Sequence, residues 1–263
     1  MSNFHVMTGA SGVLVRPEVR RISTSDVLDA LRAGVEDFRE KPSHYAFVGL
    51  IYPLAGMVLI AWSAGVDLLP MIYPLLSGFA LLGPLLAIGL MEISRRREYG
   101  QDASWAQVFA LKQSPALPSL LMMSVYLLTL FMIWLVAARA LYLGFIGDYP
   151  NPSFLGFASN VLGHPNAMAL IFWGNLVGLG LALIALVISI VAFPLLLDRD
   201  VGAASAVHTS VRAAMLNPVP VAFWGLIVAL ALVAGMATLM VGLVIIVPIL
   251  GHATWHLYRR MVL

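Results

Sequence analysis

Six apolar runs, near Tyr45–Ala64, Leu69–Ile93, Leu117–Leu141, Met168–Phe193, Val219–Thr238 and Met240–Leu257, constrain this chain more than any other feature. Each is close to or above the roughly 20 residues a helix needs to cross a bilayer. The expected fold class is therefore all-α, a polytopic membrane bundle of six transmembrane helices. Composition points the same way: 61% of the 263 residues are hydrophobic and only 11% are charged, against about 45–50% and 25% in soluble domains. Water-soluble globular and disordered classes are excluded. Only Gly235, Met236, Ala237 and Thr238 hint at a turn between the last two runs. One continuous helix at ~1.5 Å per residue would far exceed a core of about 30 Å, so a tight hairpin is expected there.

Basic residues fix an expected orientation. With six spans, one side of the membrane receives Arg16, Arg20, Arg21, Arg32, Arg39, Lys41, Arg95, Arg96, Arg97, Lys112, Arg199, Arg212, Arg259 and Arg260, which is 14 of the 15 cations, and the other side receives Arg139 alone. Both termini are expected in the cytoplasm. Residues 1–21 hold no apolar run of signal-peptide kind. From Ser23 to Glu40, Val27, Leu28, Leu31, Val35 and Phe38 recur at helical spacing between Asp26, Asp29, Arg32, Glu36 and Asp37. This predicts an amphipathic helix capped by Ser23 and Asp26 and ended by Lys41-Pro42. Residues 1–44 thus read as a cytoplasmic tail with its helix, and residues 45–263 as the membrane domain.

Three helical segments ending in Pro precede the odd-numbered spans: SDVLDALRAGVEDFREKP, SWAQVFALKQSP and ASAVHTSVRAAMLNP. The pieces YAFVGLIYPLAGM and VAFWGLIVALALVAGM after the first and third resemble each other. A threefold repeat of interfacial helix plus hairpin is the expectation. The connection from Tyr142 to Pro165, rich in Gly, Pro and Asn with interspersed Phe and Leu, predicts a folded loop on the outer surface.

Few residues carry chemistry. His252 and His256 lie four apart and share a helix face. They can ligate one metal, with a third ligand from His208, His44, Glu92 or Asp198. Alternatively they belong to an interfacial anchor with Trp255, Tyr258, Arg259 and Arg260. Glu92 and Asp198 end spans beside Arg95 and Arg199, as helix-end ion pairs. Asn175 is the deepest amide, and Gly174 with Gly178 gives the GxxxG spacing that admits a close helix neighbour. Pro74 and Pro84 within one span suggest a discontinuous helix. Zero cysteines remove thiol chemistry, a net charge of +2 gives no nucleic-acid signature, and no nucleotide-binding or hydrolase motif is present.

The run FPLLLDRDVGAASAVHTSVRAAMLNPVPVAFWGLI, then GLVIIVPILGHATWHLYRR, with DALRAGVEDFREKP and FVGLIYPLAG upstream, resembles a bacterial family of predicted six-span integral membrane proteins of unknown function. Members are sometimes labelled cytochrome c oxidase subunit I-like, but this chain lacks the spans and intramembrane histidines of a haem–copper centre. The resemblance implies importance for Phe193, Pro194, Leu197, Asp198, Arg199, Asn217, Pro218, Gly251, His252, Trp255, His256 and Tyr258, and no activity. With no catalytic constellation, the expected role is an accessory or scaffold subunit of a larger membrane complex. The expected contacts are membrane lipids and other membrane-protein subunits. Two alternatives stay open: a carrier or binding protein for a lipophilic small molecule, and a histidine-ligated metal or haem protein. No cofactor is otherwise predicted.

Overall fold

Unbroken apolar sequence becomes helix wherever backbone groups must pair within their own segment, and the fold follows that rule with breaks only where proline forces them. The computed structural model describes residues 6–14, 16–41, 69–148, 153–238 and 241–263. Pro42, His44, the expected first span Tyr45–Ala64 and the YAFVGLIYPLAGM copy of the repeat lie outside the described residues. The longer helices are α1 (Thr24–Glu40), α2 (Leu69–Glu98), α3 (Leu117–Phe145), α4 (Phe154–Leu162), α5 (Ala167–Asp198), α6 (Gly202–Leu216), α7 (Pro218–Ala237) and α8 (Leu243–Met261), with a short helix Trp105–Phe109 running on as a 3-10 turn to Gln113 between α2 and α3. Four of them, α2, α3, α5 and α7, are long and apolar enough to cross a membrane. They coincide with the second to fifth expected spans.

The expected sixth span is α8, and it is not among those four. Its second half carries His252, His256, Arg259 and Arg260, which dilute its hydropathy, and it is surrounded by protein. Gly251, His252, Ala253, Trp255, Leu257, Tyr258 and Met261 are all buried. Between α7 and α8 the hydroxyl of Thr238 donates to the Gly235 carbonyl and accepts from the Gly242 N–H, both at 2.8 Å. The two helices are separate, as the hairpin expectation required.

Proline shapes the spans. Within α2, helix gives way to a 3-10 turn at Ala80–Leu82 and resumes as the short piece Gly83–Leu86, with Pro84 in its first turn. Regular helix returns at Ile88. Pro74 lies inside the unbroken first segment of α2; one turn on, a Cβ on Gly78 would stand 2.6 Å from the Trp134 ring, whose indole donates to the Pro74 carbonyl at 2.8 Å. In α5, Pro194 lacks an N–H and crowds the carbonyl four residues before it, and the helix steps at Ile190–Val191. Ser210 of α6 bridges the step, donating to the Val187 carbonyl (2.8 Å) and accepting from the Val191 N–H (3.1 Å).

The amphipathic helix α1 has the expected capping box at Ser23 and Asp26. Its buried stripe, however, is Val27, Ala30, Gly34 and Asp37, while Leu28 remains 40% exposed. Small residues win because α1 presses directly on α8: a Cβ on Gly34 would stand 2.6 Å from the Ala253 nitrogen. On the other side of α8, a Cβ on Gly251 would meet Leu90 at 2.5 Å and Ala87 at 3.1 Å. Upstream of α1 the chain is extended and pairs with the end of α8. Val19 bridges Val262, the Arg20 N–H donates to the Met261 carbonyl at 3.0 Å and Leu263 donates to Glu18 at 3.1 Å.

Gly34→Leu should displace α1 from α8, costing about 3 kcal/mol of stability and opening residues 16–41 to limited proteolysis. Leu28→Ala, on the apolar face of the sequence pattern yet exposed, should change the unfolding free energy by no more than about 0.5 kcal/mol.

Candidate functional site

Two features stand out, a polar cluster where α1, α2 and α8 meet and an apolar cavity among α2, α5, α7 and α8. The cluster is built around Asp37. Sequence pattern places this residue on the solvent face of α1, but its carboxylate is buried, with 5% exposure. A buried carboxylate must be met by donors, and three arrive from two other helices. Ser94 and Arg97 of α2 donate to it, and Nε2–H of His256 on α8 donates to Oδ2 at 2.8 Å. The Ser94 oxygen also lies 2.8 Å from Nδ1 of His252, which is fully buried. A continuous chain of polar contacts therefore runs His252–Ser94–Asp37–His256. Burial alone would raise the Asp37 pKa, but the hydrogen bonds from His256 and Ser94 and the charges of His256 and Arg97 outweigh it and hold the carboxyl below its usual range.

Around this centre the remaining charges are paired. Glu92, fully buried, accepts from Arg95 at 2.7 and 2.9 Å and from Arg96 at 2.6 Å. The carboxylate of Glu98 takes the Trp255 indole N–H at 2.7 Å and Arg259 at 2.8 Å. Asp198 accepts from the Tyr258 hydroxyl at 2.7 Å and the Tyr99 hydroxyl at 2.9 Å, with the Arg199 guanidinium 3.4 Å away. Arg199 itself reaches the Leu263 carbonyl at 2.7 Å. The Asn217 side chain, 2% exposed, accepts from the Ile22 N–H at 2.8 Å and donates to the Arg20 carbonyl at 3.0 Å. It thereby fastens the extended segment to the start of α7, where Pro218 occupies the first turn.

The residues singled out from sequence thus fall into two groups. His252, Trp255, His256, Tyr258, Asp198, Arg199 and Asn217 converge at this charged end. Trp255 and Tyr258 are interior groups, 5.3 Å apart between ring centroids, where the anchor reading placed them at a lipid interface. His208 is exposed on α6, and Glu92 and Asp198 are engaged elsewhere. Among the described residues no group of three or more His, Asp or Glu side chains is arranged to hold a metal ion. Gly174, Asn175 and Gly178 sit apart on α5. A Cβ on Gly178 would stand 3.2 Å from the Trp134 ring while Gly174 faces open space, and Asn175 accepts from the Tyr73 hydroxyl at 2.7 Å, an interhelical bond of the expected kind.

Sequence reasoning missed Asp37, Ser94, Arg97 and Glu98. One signal was legible: Ala30, Gly34 and Asp37 share the face of Val27, a small-residue stripe that ends in an acid.

The cavity, about 420 Å3, lies where α2 loses regular helix. Its wall includes Ala80, Leu81 and Pro84 from that break, Leu186 and Ile190 from α5, Trp224 and Gly225 from α7, and Leu250, Gly251 and Thr254 from α8. Leu179, Leu183 and Leu226 line it and are exposed, which puts its mouth between α5 and α7 on the apolar surface of the bundle.

A family model described as Predicted integral membrane protein (DUF2189) matches residues 72–198. The matched stretch runs from α2 to the end of α5 and leaves out α1, α6, α7 and α8. No curated protein and no solved structure matches the chain. The match and the four apolar helices of spanning length agree that this is an integral membrane protein.

Because the folded-state pKa of Asp37 is depressed, its contribution to stability is present above the unfolded value near 3.9 and is lost as pH falls below it. Asp37→Ala should cost about 1–3 kcal/mol at neutral pH by removing the acceptor shared by Ser94, His256 and Arg97, although Arg97 keeps Glu40 as a partner. Thermal unfolding of wild type and variant across pH should show the gap narrowing below about pH 4.

Proposed function

We propose that this chain is a six-span protein of a bacterial inner membrane, both termini cytoplasmic, that binds a lipophilic small molecule in the cavity among α2, α5, α7 and α8. The observation that carries this reading is the cavity itself. Its 420 Å3 falls in the ordinary range of small-molecule pockets, roughly 300–1,000 Å3. Its lining is almost wholly apolar, and its mouth is bordered by leucines on a lipid-compatible surface. The irregular stretch of α2, Ala80–Ala87, supplies part of its wall.

The accessory-subunit reading draws on interfacial helices available to a partner. That support weakens here, because α1 buries its small-residue face on α8. Likewise α6 buries Ala203, Ala206, Thr209, Ser210, Ala213 and Ala214 within the chain. Orientation rests on the distribution of Lys and Arg, and the charged cluster then lies at the cytoplasmic end. Span count rests on the four described spanning helices plus the run Tyr45–Ala64 and α8.

Purification in mild detergent followed by solvent extraction and mass spectrometry should recover a stoichiometric lipophilic compound distinct from bulk lipid. Ala229→Phe and Gly225→Leu, which fill the cavity against flexible side chains such as Leu186, should deplete that compound at least tenfold while leaving the unfolding temperature within a few degrees. Recovery of bulk lipid alone, unchanged in both variants, would sink the reading. The absence of cysteine makes topology directly testable. Lys112→Cys should react with an impermeant thiol reagent only from the cytoplasmic side, and Asp148→Cys only from the outside.

A further inference from the structure

Among the described residues, two of the three buried tryptophans satisfy their indole N–H groups. Trp134, 3% exposed, donates to the Pro74 carbonyl, and Trp255, fully buried, donates to Glu98. Trp224 is 2% exposed, and its indole N–H has no hydrogen-bond partner among the described residues. That nitrogen is not sealed off: it keeps accessible surface on an otherwise enclosed ring, so it is free to donate to an acceptor from outside the chain. Trp224 lines the cavity.

The other polar side chains of the lining are Ser189 and Thr254. Both hydroxyls are already committed as donors to their own helices, Ser189 to the Ala185 carbonyl at 2.6 Å and Thr254 to the Leu250 carbonyl at 2.7 Å. Among the described residues of the wall, Trp224 is therefore the uncommitted side-chain donor, and no Asp, Glu, Lys, Arg or His contributes. A carboxylate, phosphate or ammonium entering it would leave water without a counter-charge, which is heavily penalised.

Building on the cavity-binding reading above, we infer that the ligand is an uncharged lipophile carrying a carbonyl oxygen, of the ketone, ester or quinone class, and that the Trp224 indole N–H donates to that oxygen. The donor selects an acceptor, the charge-free wall rejects ionised headgroups, and the apolar remainder takes the hydrocarbon. Trp224 on this account is a specificity-determining residue, and its ring also packs in the core.

The test uses the full chain in detergent, stripped of endogenous ligand, with three probes of equal chain length: a methyl ketone, an alkane and the ionised fatty acid. Competition binding should rank the ketone above the alkane by about two- to tenfold, the worth of one hydrogen bond, with the fatty acid weakest. Trp224→Phe keeps a ring and removes the N–H, and should abolish the ketone advantage while leaving alkane affinity in place. In the infrared, the carbonyl stretch of bound ketone should sit at lower frequency in wild type than in Trp224→Phe. Should that variant not fold, the wild-type ranking and carbonyl frequency decide alone. Equal affinities for ketone and alkane, an unshifted carbonyl, or fatty acid binding as tightly as ketone would each overturn this inference and leave the cavity-binding reading standing. If no probe binds, and cavity-filling variants lose nothing on extraction, the underlying reading fails as well.

Discussion

A carboxylate taken out of water has to be surrounded by donors, and the arrangement of the charged end of this protein follows from how Asp37 is surrounded. Its donors come from residues 57 and 60 positions later on α2 and 219 positions later on α8. Three helices can meet one carboxylate only if their backbones approach closely. That accounts for glycine at 34, where α1 touches α8, and at 251, where α8 touches α2. Chemistry and sterics are thus coupled: the small residues bring the helices within reach, and the charge network fixes their register. An apolar contact of the same area would hold α1 to α8 with less directional preference, since burial rewards area and hydrogen bonds reward geometry.

At the apolar end a different logic applies. There the helices associate where lipid tails compete on equal terms for apolar surface, so packing depends on shape and on isolated polar bonds. Trp134 against Gly78 and the Pro74 carbonyl, Tyr73 with Asn175, and Ser210 across the step in α5 are bonds of this kind. The cavity sits between the two regimes. Its floor is α8, held by the charged network, and the neighbouring stretches of α5 and α7 are held by packing and isolated polar bonds. Ligand entry between α5 and α7 would therefore disturb the weakly tied walls and leave the floor in place.

Much of the fold was legible in the sequence because a bilayer imposes a length and a composition that few other environments demand. The bounds of α2, α3, α5 and α7 match the apolar runs within a few residues at most ends, and Pro84 correctly marked a discontinuous helix. The site was less legible, for identifiable reasons. Periodicity weighs residue size and polarity, so Leu28 and Val35 outweighed Ala30 and Gly34 in choosing the buried face of α1. Asp37 and Ser94 look like ordinary surface residues one at a time, and their meaning lies in a juxtaposition across long sequence separation. The histidines of α8 drew notice through their spacing, yet each is explained by a partner on another helix. No pattern in sequence announces a cavity.

The antiparallel contact between Val19 and Val262, with α1 clamped onto α8, also bears on how the molecule is made. Asp37 emerges from the ribosome 219 residues before His256, and at roughly 5–20 residues per second of synthesis it waits on the order of 10 to 45 s for its last donor. During that interval the acid can meet only Ser94 and Arg97, which follow it by 57 and 60 residues. Clamping of α1 onto α8 requires α8 to have been made, so this contact forms late in synthesis.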